Sequence, residues 1–191
     1  MIDIGANLTH KSFDHDLDDV IKRSLDAGVE KIIVTASSIS ESKRVAAMTK
    51  QYSGILWGTA GVHPHNAKEA GDLFAETLDE LIQNENIVAV GECGLDYFRN
   101  LSEPREQQKT FRIQLQIATK NSLPVFLHQR DAHNDFIGIL KENESSVIDG
   151  VAHCFTGNKK QLKACLDIGL YIGITGWLCD PRRNQDLIDS I

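Results

Sequence analysis

The hydrophobic pattern of the chain alternates between two periods. Short apolar runs of the kind a strand buried on both faces shows recur along it: Ile2 to Leu8, Val29 to Ala36, Ile55 to Val62, Ile87 to Val90, Leu123 to His128, Val147 to His153 and Leu170 to Ile174. Between them lie segments whose apolar residues fall at helical spacing. Val20, Ile21, Leu25 and Ala27 form one, entered through Asp14–Asp19 and stopped by Gly28; Val45, Ala46 and Met48 form another, opened by Ser40 and Glu41. A third helix is predicted around Leu73 to Gln83. A fourth starts at Ser102-Glu103-Pro104-Arg105, an N-cap with proline near the helix start, and runs through Leu115 and Ala118. Phe136, Ile137 and Leu140 mark a fifth, Gln161 to Ile168 a sixth that Gly169 stops, and Pro181 the start of a seventh.

Strand-then-helix units repeated at intervals of ~20–35 residues predict parallel strands joined by right-handed crossovers. Two architectures satisfy that order, an open doubly wound sheet and a closed (β/α) barrel. Asp3-Ile4-Gly5-Ala6-Asn7 is not the glycine-rich dinucleotide turn expected after the first strand of a doubly wound fold. Polar residues instead stand at the ends of many strands: Asn7, His63, Glu92, His128, His153 and Thr175. Barrel closure gathers such residues into one ring at the C-terminal face, so the expectation is an α/β protein of the TIM-type (β/α)8 class. A complete barrel needs eight strands and ~250 residues, whereas seven strands are read here. Residues 1–191 are accordingly expected to be a single barrel domain, incomplete at its C-terminus.

Composition changes this picture little. The 191 residues are 41% hydrophobic and 25% charged, as in an ordinary globular protein with one substantial core. A net charge of −7 argues against a basic surface that binds nucleic acid along its length, but leaves room for a local phosphate site. No apolar run approaches the ~20 residues that span a bilayer, and the start of the chain lacks a basic-then-apolar signal pattern. Cys93, Cys154, Cys165 and Cys179 have no C-x-x-C spacing, so they are read as reduced thiols packed as small hydrophobes, with the cytoplasm as the expected location and a monomer as the expected state.

The candidate chemistry centres on Gly91-Glu92-Cys93-Gly94, where glycines bracket one carboxylate at the end of a buried strand. Burying such a charge is costly unless something pairs with it. Glu92, His128 and His153 offer one carboxylate and two imidazoles from three strand ends, a set suited to Zn²⁺, Mn²⁺ or Fe²⁺, and to Mg²⁺ when waters and phosphate oxygens complete the shell. The alternative for each is a hydrogen-bonded histidine or a salt-bridged glutamate. His63, before Pro64, is placed to meet a phosphate or a metal-bound water as acid, base or donor; a half-exposed turn histidine is the other reading. His65 is expected to be peripheral. Arg130, two residues after His128, is a candidate phosphate clamp or one half of a helix-start ion pair. Arg99 and Arg105 read as solvated charges, Trp177 as a packing residue or a stacking surface for a base, and His10 and His15 as surface residues.

Five stretches together are specific. Gly-Val-His-Pro-His (61–65), Gly-Glu-Cys-Gly-Leu-Asp-Tyr (91–97), Pro-Val-Phe-Leu-His-Gln-Arg-Asp-Ala-His (124–133), His-Cys-Phe-Thr-Gly (153–157) and Tyr-Ile-Gly-Ile-Thr-Gly-Trp (171–177) resemble the TatD family of metal-dependent deoxyribonucleases, in register along the whole chain. The resemblance implies a 3′-5′ exonuclease on single-stranded DNA, with RNA a further candidate, and a role in DNA repair or turnover. It implies a divalent metal, Mg²⁺ first and Mn²⁺ or Zn²⁺ as alternatives, held by Glu92, His128 and His153, with His63 and Glu92 catalytic and Arg130 and His63 on the substrate. Two departures qualify it. Most members open with Asp-x-His-x-His, both histidines binding metal; Gly5 and Asn7 stand at those positions here, which puts a second ion in doubt. The family's aspartate on an eighth strand also has no counterpart before Ile191. Two other function classes remain: a metal-dependent ester or amide hydrolase acting on a small molecule or aminoacyl ester, and a truncated chain that binds metal without turnover.

Overall fold

The apolar runs become parallel strands because every crossover returns through a helix. The computed structural model describes residues 1–142, 149–182 and 184–191. In it β1 (Ile2–Ala6), β2 (Lys31–Val34), β3 (Leu56–Ala60), β4 (Ile87–Asp96), β5 (Val125–Arg130), β6 (Gly150–Ala152) and β7 (Tyr171–Ile172) pair in sequence order, all parallel. The helices between them are α1 (Leu17–Asp26), α2 (Ile39–Gln51), α3 (Phe74–Leu81), α4 (Pro104–Lys120), α5 (His133–Lys141) and α6 (Lys159–Asp167), with a short α7 (Gln185–Ile188) after β7. Among the described residues, 3₁₀ segments cover Lys11–Phe13, Pro64–Glu69 and Gly176–Cys179.

The strand order 1 to 7 without a switch point is that of a barrel wall, not of a doubly wound sheet. Its curl is measurable across the sheet. A Cβ built on Gly5 of β1 would lie 2.9 Å from Cε1 of His153, just past β6. Ile4, Ile33, Val88, Phe126, Val151 and Ile172 line one apolar cavity of about 590 Å³ inside that curl. Among the described residues β1 and β7 are the two edges of the seven-stranded sheet. Outside the curl, helix and strand faces share a core that includes Val45, Leu78, Phe111, Leu115 and Phe136; the last pair of aromatics stacks at 5.6 Å, ring planes 7° apart.

Several boundaries differ from the sequence reading for local reasons. The predicted sixth strand opens at Val147, and residues 147 and 148 lie outside the described ones; the strand is described from Gly150. The predicted helix at Pro181 forms only from Gln185, preceded by the 3₁₀ segment at 176–179. The fourth strand does not stop at Val90. It continues through the glycines to Asp96, with a bulge that leaves Glu92 as the extra residue against β5: Gly91 pairs with Phe126 and Cys93 with Leu127. The cysteines divide. Cys93 and Cys165 are buried as expected, whereas Cys154 is partly exposed, 3.1 Å from Oγ1 of Thr175, and Cys179 is at the surface, in a 3₁₀ segment with no buried residue.

Candidate metal centre

The bulge explains both the glycines and the direction of Glu92. Side chains at 91 and 94 would collide with β5: a Cβ on Gly91 overlaps the carbonyl oxygen of Phe126, and one on Gly94 overlaps that of His128. Both residues also hold positive φ, 145° and 140°, which L side chains rarely adopt. The backbone can thus run hard against β5 while Glu92, released from the ladder, bonds by its N–H to the carbonyl of Ala36 at 2.9 Å and turns its carboxylate toward the strand ends.

Three of the expected residues meet there. Nδ1 of His128 lies 3.2 Å from Oε1 of Glu92, and Nε2 of His63 lies 3.9 Å from the same oxygen. One donor atom from each of His63, Glu92 and His128 falls within 4.8 Å of the others, the one such grouping of potential metal ligands among the described residues. His153 stands apart from it, with its ring centroid 4.6 Å from that of Phe126 on the side facing Gly5. Burial lowers its pKa while the nearby Glu92 carboxylate opposes that shift, so it borders the same space.

A residue that the sequence reading left unassigned completes the group. Asp96, only 1% exposed, accepts hydrogen bonds on Oδ2 from Nε2 of His65 at 2.7 Å and from Nε2 of His128 at 3.3 Å. Its Oδ1 accepts the backbone N–H of Arg99 at 2.7 Å. His65 is therefore not peripheral: the 3₁₀ turn begun by Pro64 carries it back over the site, its ring 4.2 Å from that of His63. His63 itself is 8% exposed, which removes the half-exposed reading. His10 and His15 are at the surface, as expected, and so are Arg99 and Arg105.

Two buried glutamines on α4 fix these strand ends. Gln114 accepts the N–H of Val62 at 2.7 Å and donates to its carbonyl at 2.9 Å, imitating a neighbouring strand beside His63. Gln107 does the same for Asp96, accepting its N–H at 2.8 Å and donating to its carbonyl at 3.1 Å. Their signal was available in the sequence as two amides seven residues apart on a face otherwise filled by Phe111, Leu115 and Ala118.

Electrostatics separate the roles. Burial pushes the Glu92 carboxyl upward, but the hydrogen bond from His128 and the neighbouring histidines outweigh it and hold the group at about 2, so it is an anion. Burial works against a charged His128, yet bonds to Asp96 and Glu92 raise it to about 9. Burial lowers His63 to about 3 and keeps it neutral. The tautomer of His63 follows from geometry: Nδ1 accepts the backbone N–H of His65 at 3.1 Å, so the proton sits on Nε2 and points into the site. His63 is thus arranged as a donor, although its distance alone would admit it as a ligand.

The donor set fits a divalent cation. Glu92 supplies an anionic oxygen, and Asp96 holds one nitrogen of His128 so that Nδ1 faces that oxygen, the arrangement in which an outer carboxylate orients a ligating imidazole. Without a cation, the charged His128 ring lies between the two carboxylates, its Nδ1–H directed at Glu92 and its Nε2–H at Asp96. Arg130 lies beyond the cluster, at the end of β5, its guanidinium carbon 3.6 Å from the ring centroid of Phe98 and 5.3 Å from that of Trp177. Among the described residues no carboxylate lies within 4.0 Å of its guanidinium nitrogens, so the helix-start ion pair is not formed.

Comparison with known proteins gives the family and the fold. A family profile described as "TatD related DNase" matches residues 2–191. The chain is 48% identical over 187 residues to the 3'-5' ssDNA/RNA exonuclease TatD of Erwinia tasmaniensis, covering 98% of this chain and 72% of that protein. It is 48% identical to the protein of the same name from Erwinia amylovora over 191 residues, 74% of the latter. Among solved structures, YJJV, a TatD homologue of Escherichia coli K12, superposes with a TM-score of 0.87 at 31% identity over 95% of this chain and 70% of its own. A TatD family hydrolase from Entamoeba histolytica superposes with a TM-score of 0.86 at 31% identity, covering 92% of this chain and 65% of its own.

Proposed function

The chain belongs to the TatD-related DNase family, and from that premise we propose that it is a metal-dependent phosphodiester hydrolase removing nucleotides from the 3′ end of single-stranded DNA and RNA. The observation that carries the reading is the grouping of His63, Glu92 and His128 at the ends of successive parallel strands, in a protein whose relatives are named as exonucleases of that kind.

Glu92 and His128 would hold the cation, with His153, just past the neighbouring strand, the third expected ligand. When bound, the ion polarises a phosphoryl oxygen and lowers the pKa of a water; Mg²⁺ is the ion proposed, since phosphate oxygens and waters complete a shell that the protein leaves open. His63 keeps a proton on Nε2 and donates it in a hydrogen bond to a phosphate oxygen where negative charge grows. Asp96 keeps His128 oriented and His65 folded over the site. Arg130 clamps a neighbouring phosphate.

Residues 1–191 are read as one barrel domain acting as a monomer in the cytoplasm. Among the described residues no helix is long and apolar enough to cross a membrane.

A single-stranded oligonucleotide labelled at either end tests the reading. Incubation with Mg²⁺ should release mononucleotides from the 3′ end, chelation should stop it, and Glu92→Ala should abolish it. Metal-dependent hydrolysis of acyl esters with no nucleotide release would replace the nuclease reading by the esterase one.

A further inference from the structure

Phe98 is an exposed aromatic side chain close to the site. It follows the last residues of β4, where the chain has left the sheet, and is 59% exposed. An isolated exposed phenylalanine is ordinary on a protein surface. This one is held in place from below. Arg130 lies 3.6 Å from the centroid of its ring, close enough for the guanidinium plane and the ring face to be in contact. Arg130 pairs in register with Asp96, which touches His128 and His65, so the aromatic is two residues along the chain from the carboxylate that braces the metal centre. Trp177 reaches the same guanidinium from the 3₁₀ segment after β7, with 5.3 Å between guanidinium carbon and ring centroid.

We infer that Phe98 is a stacking platform for an unpaired nucleobase, and that Arg130 couples the base it holds to the adjacent phosphate. The inference rests on the nuclease reading and adds a binding subsite to it. Its chemistry is that of single-strand recognition: a ring face open to solvent accepts any base, while a cation behind the ring engages the backbone. Duplex DNA does not present an unpaired face, so this subsite selects single strands by stacking and not by base identity. The guanidinium, already placed against Phe98 and without a carboxylate partner among the described residues, keeps its N–H edge for a phosphate oxygen.

Binding measured without turnover tests this apart from catalysis. Fluorescence anisotropy of a labelled oligothymidylate and of an abasic strand of equal length is recorded with the 191-residue chain in EDTA. Phe98→Ala should weaken oligothymidylate binding by roughly 5- to 150-fold, the range for loss of one base stack, and leave abasic binding within about twofold. Phe98→Trp should restore it. Circular dichroism should match wild type for both variants, since the ring is exposed. Equal loss on both strands would show that Phe98 only positions Arg130 for phosphate, and no loss on either would show an idle surface residue; each overturns the platform. Failure of the wild-type chain to release nucleotides with any divalent metal, alongside base-dependent binding through Phe98, would instead sink the nuclease reading and leave the subsite standing.

Discussion

Replacing Asp96 with asparagine removes one buried charge and leaves its shape. The raised value of His128, about 9 against an ordinary 6.5, corresponds to a few kcal/mol in favour of the imidazolium, at about 1.4 kcal/mol per pH unit. That figure is what remains after burial has opposed the charge, so the combined pull of Asp96 and Glu92 exceeds it. Losing one of two comparable carboxylates should lower His128 by more than one pH unit, ~1.5–2 kcal/mol in this range. The folded value of His128 lies above its unfolded value, so the stability it contributes is present in full below about 6.5 and is lost as pH rises through about 9. The depressed carboxyl of Asp96 contributes in the opposite sense, fully above the ordinary carboxylate range and lost only in acid. At pH 6 both contributions are complete. Asp96→Asn in EDTA should therefore cost ~2–4 kcal/mol at pH 6, in line with loss of two charge-assisted hydrogen bonds, and ~1.5–2 kcal/mol less than that at pH 10. Urea unfolding followed by circular dichroism at the two pH values measures this, and the His128 Cε1 proton resonance gives the titration directly. A penalty that does not change between pH 6 and pH 10 would refute the charge coupling.

Other outcomes follow from the same geometry. Glu92→Ala should remove metal binding measured by calorimetry together with nucleotide release; activity retained at wild-type level would move the site elsewhere. Gly94→Ala should destabilise the protein by ~3 kcal/mol or more, through positive φ and the clash with the His128 carbonyl; a variant melting at the wild-type temperature would contradict the close approach of β4 and β5. Binding of Mn²⁺ at pH 7 should release about one proton, the one His128 carries, as read from calorimetry in buffers of different ionisation enthalpy. His128→Gln should release none, and equal release from both proteins would place the proton on another group.

The alternation of strands and helices was legible because parallel strands buried on both faces leave continuous apolar runs. The strand-end positions of His63, Glu92 and His128 followed from those runs. Asp96 did not, because Gly91 and Gly94 read as a break in the strand, and only their positive φ and contact with β5 show that the strand carries on past them. His65 was misplaced for a related reason: a turn begun by proline was legible, but not the direction in which it bends. Gln107 and Gln114 were visible as polar residues on an apolar helix face, while their partners, backbone groups of Asp96 and Val62, are set only by tertiary packing. Phe98 carried no signal at all, since an exposed aromatic after a strand has no periodicity to betray it.

The paired glutamine clasps make α4 a gauge block for the centre. One rigid helix holds by its amides the backbone at Val62, from which His63 departs, and the backbone at Asp96, against which His128 is set. The spacing of the donors is then inherited from a helix that contributes no donor of its own. Substitutions on the buried face of α4, between Gln107 and Gln114, would retune ion size and preference while leaving each ligand unchanged. If the centre takes a divalent ion as proposed, its selectivity would be adjustable from α4, a helix that contributes no ligand.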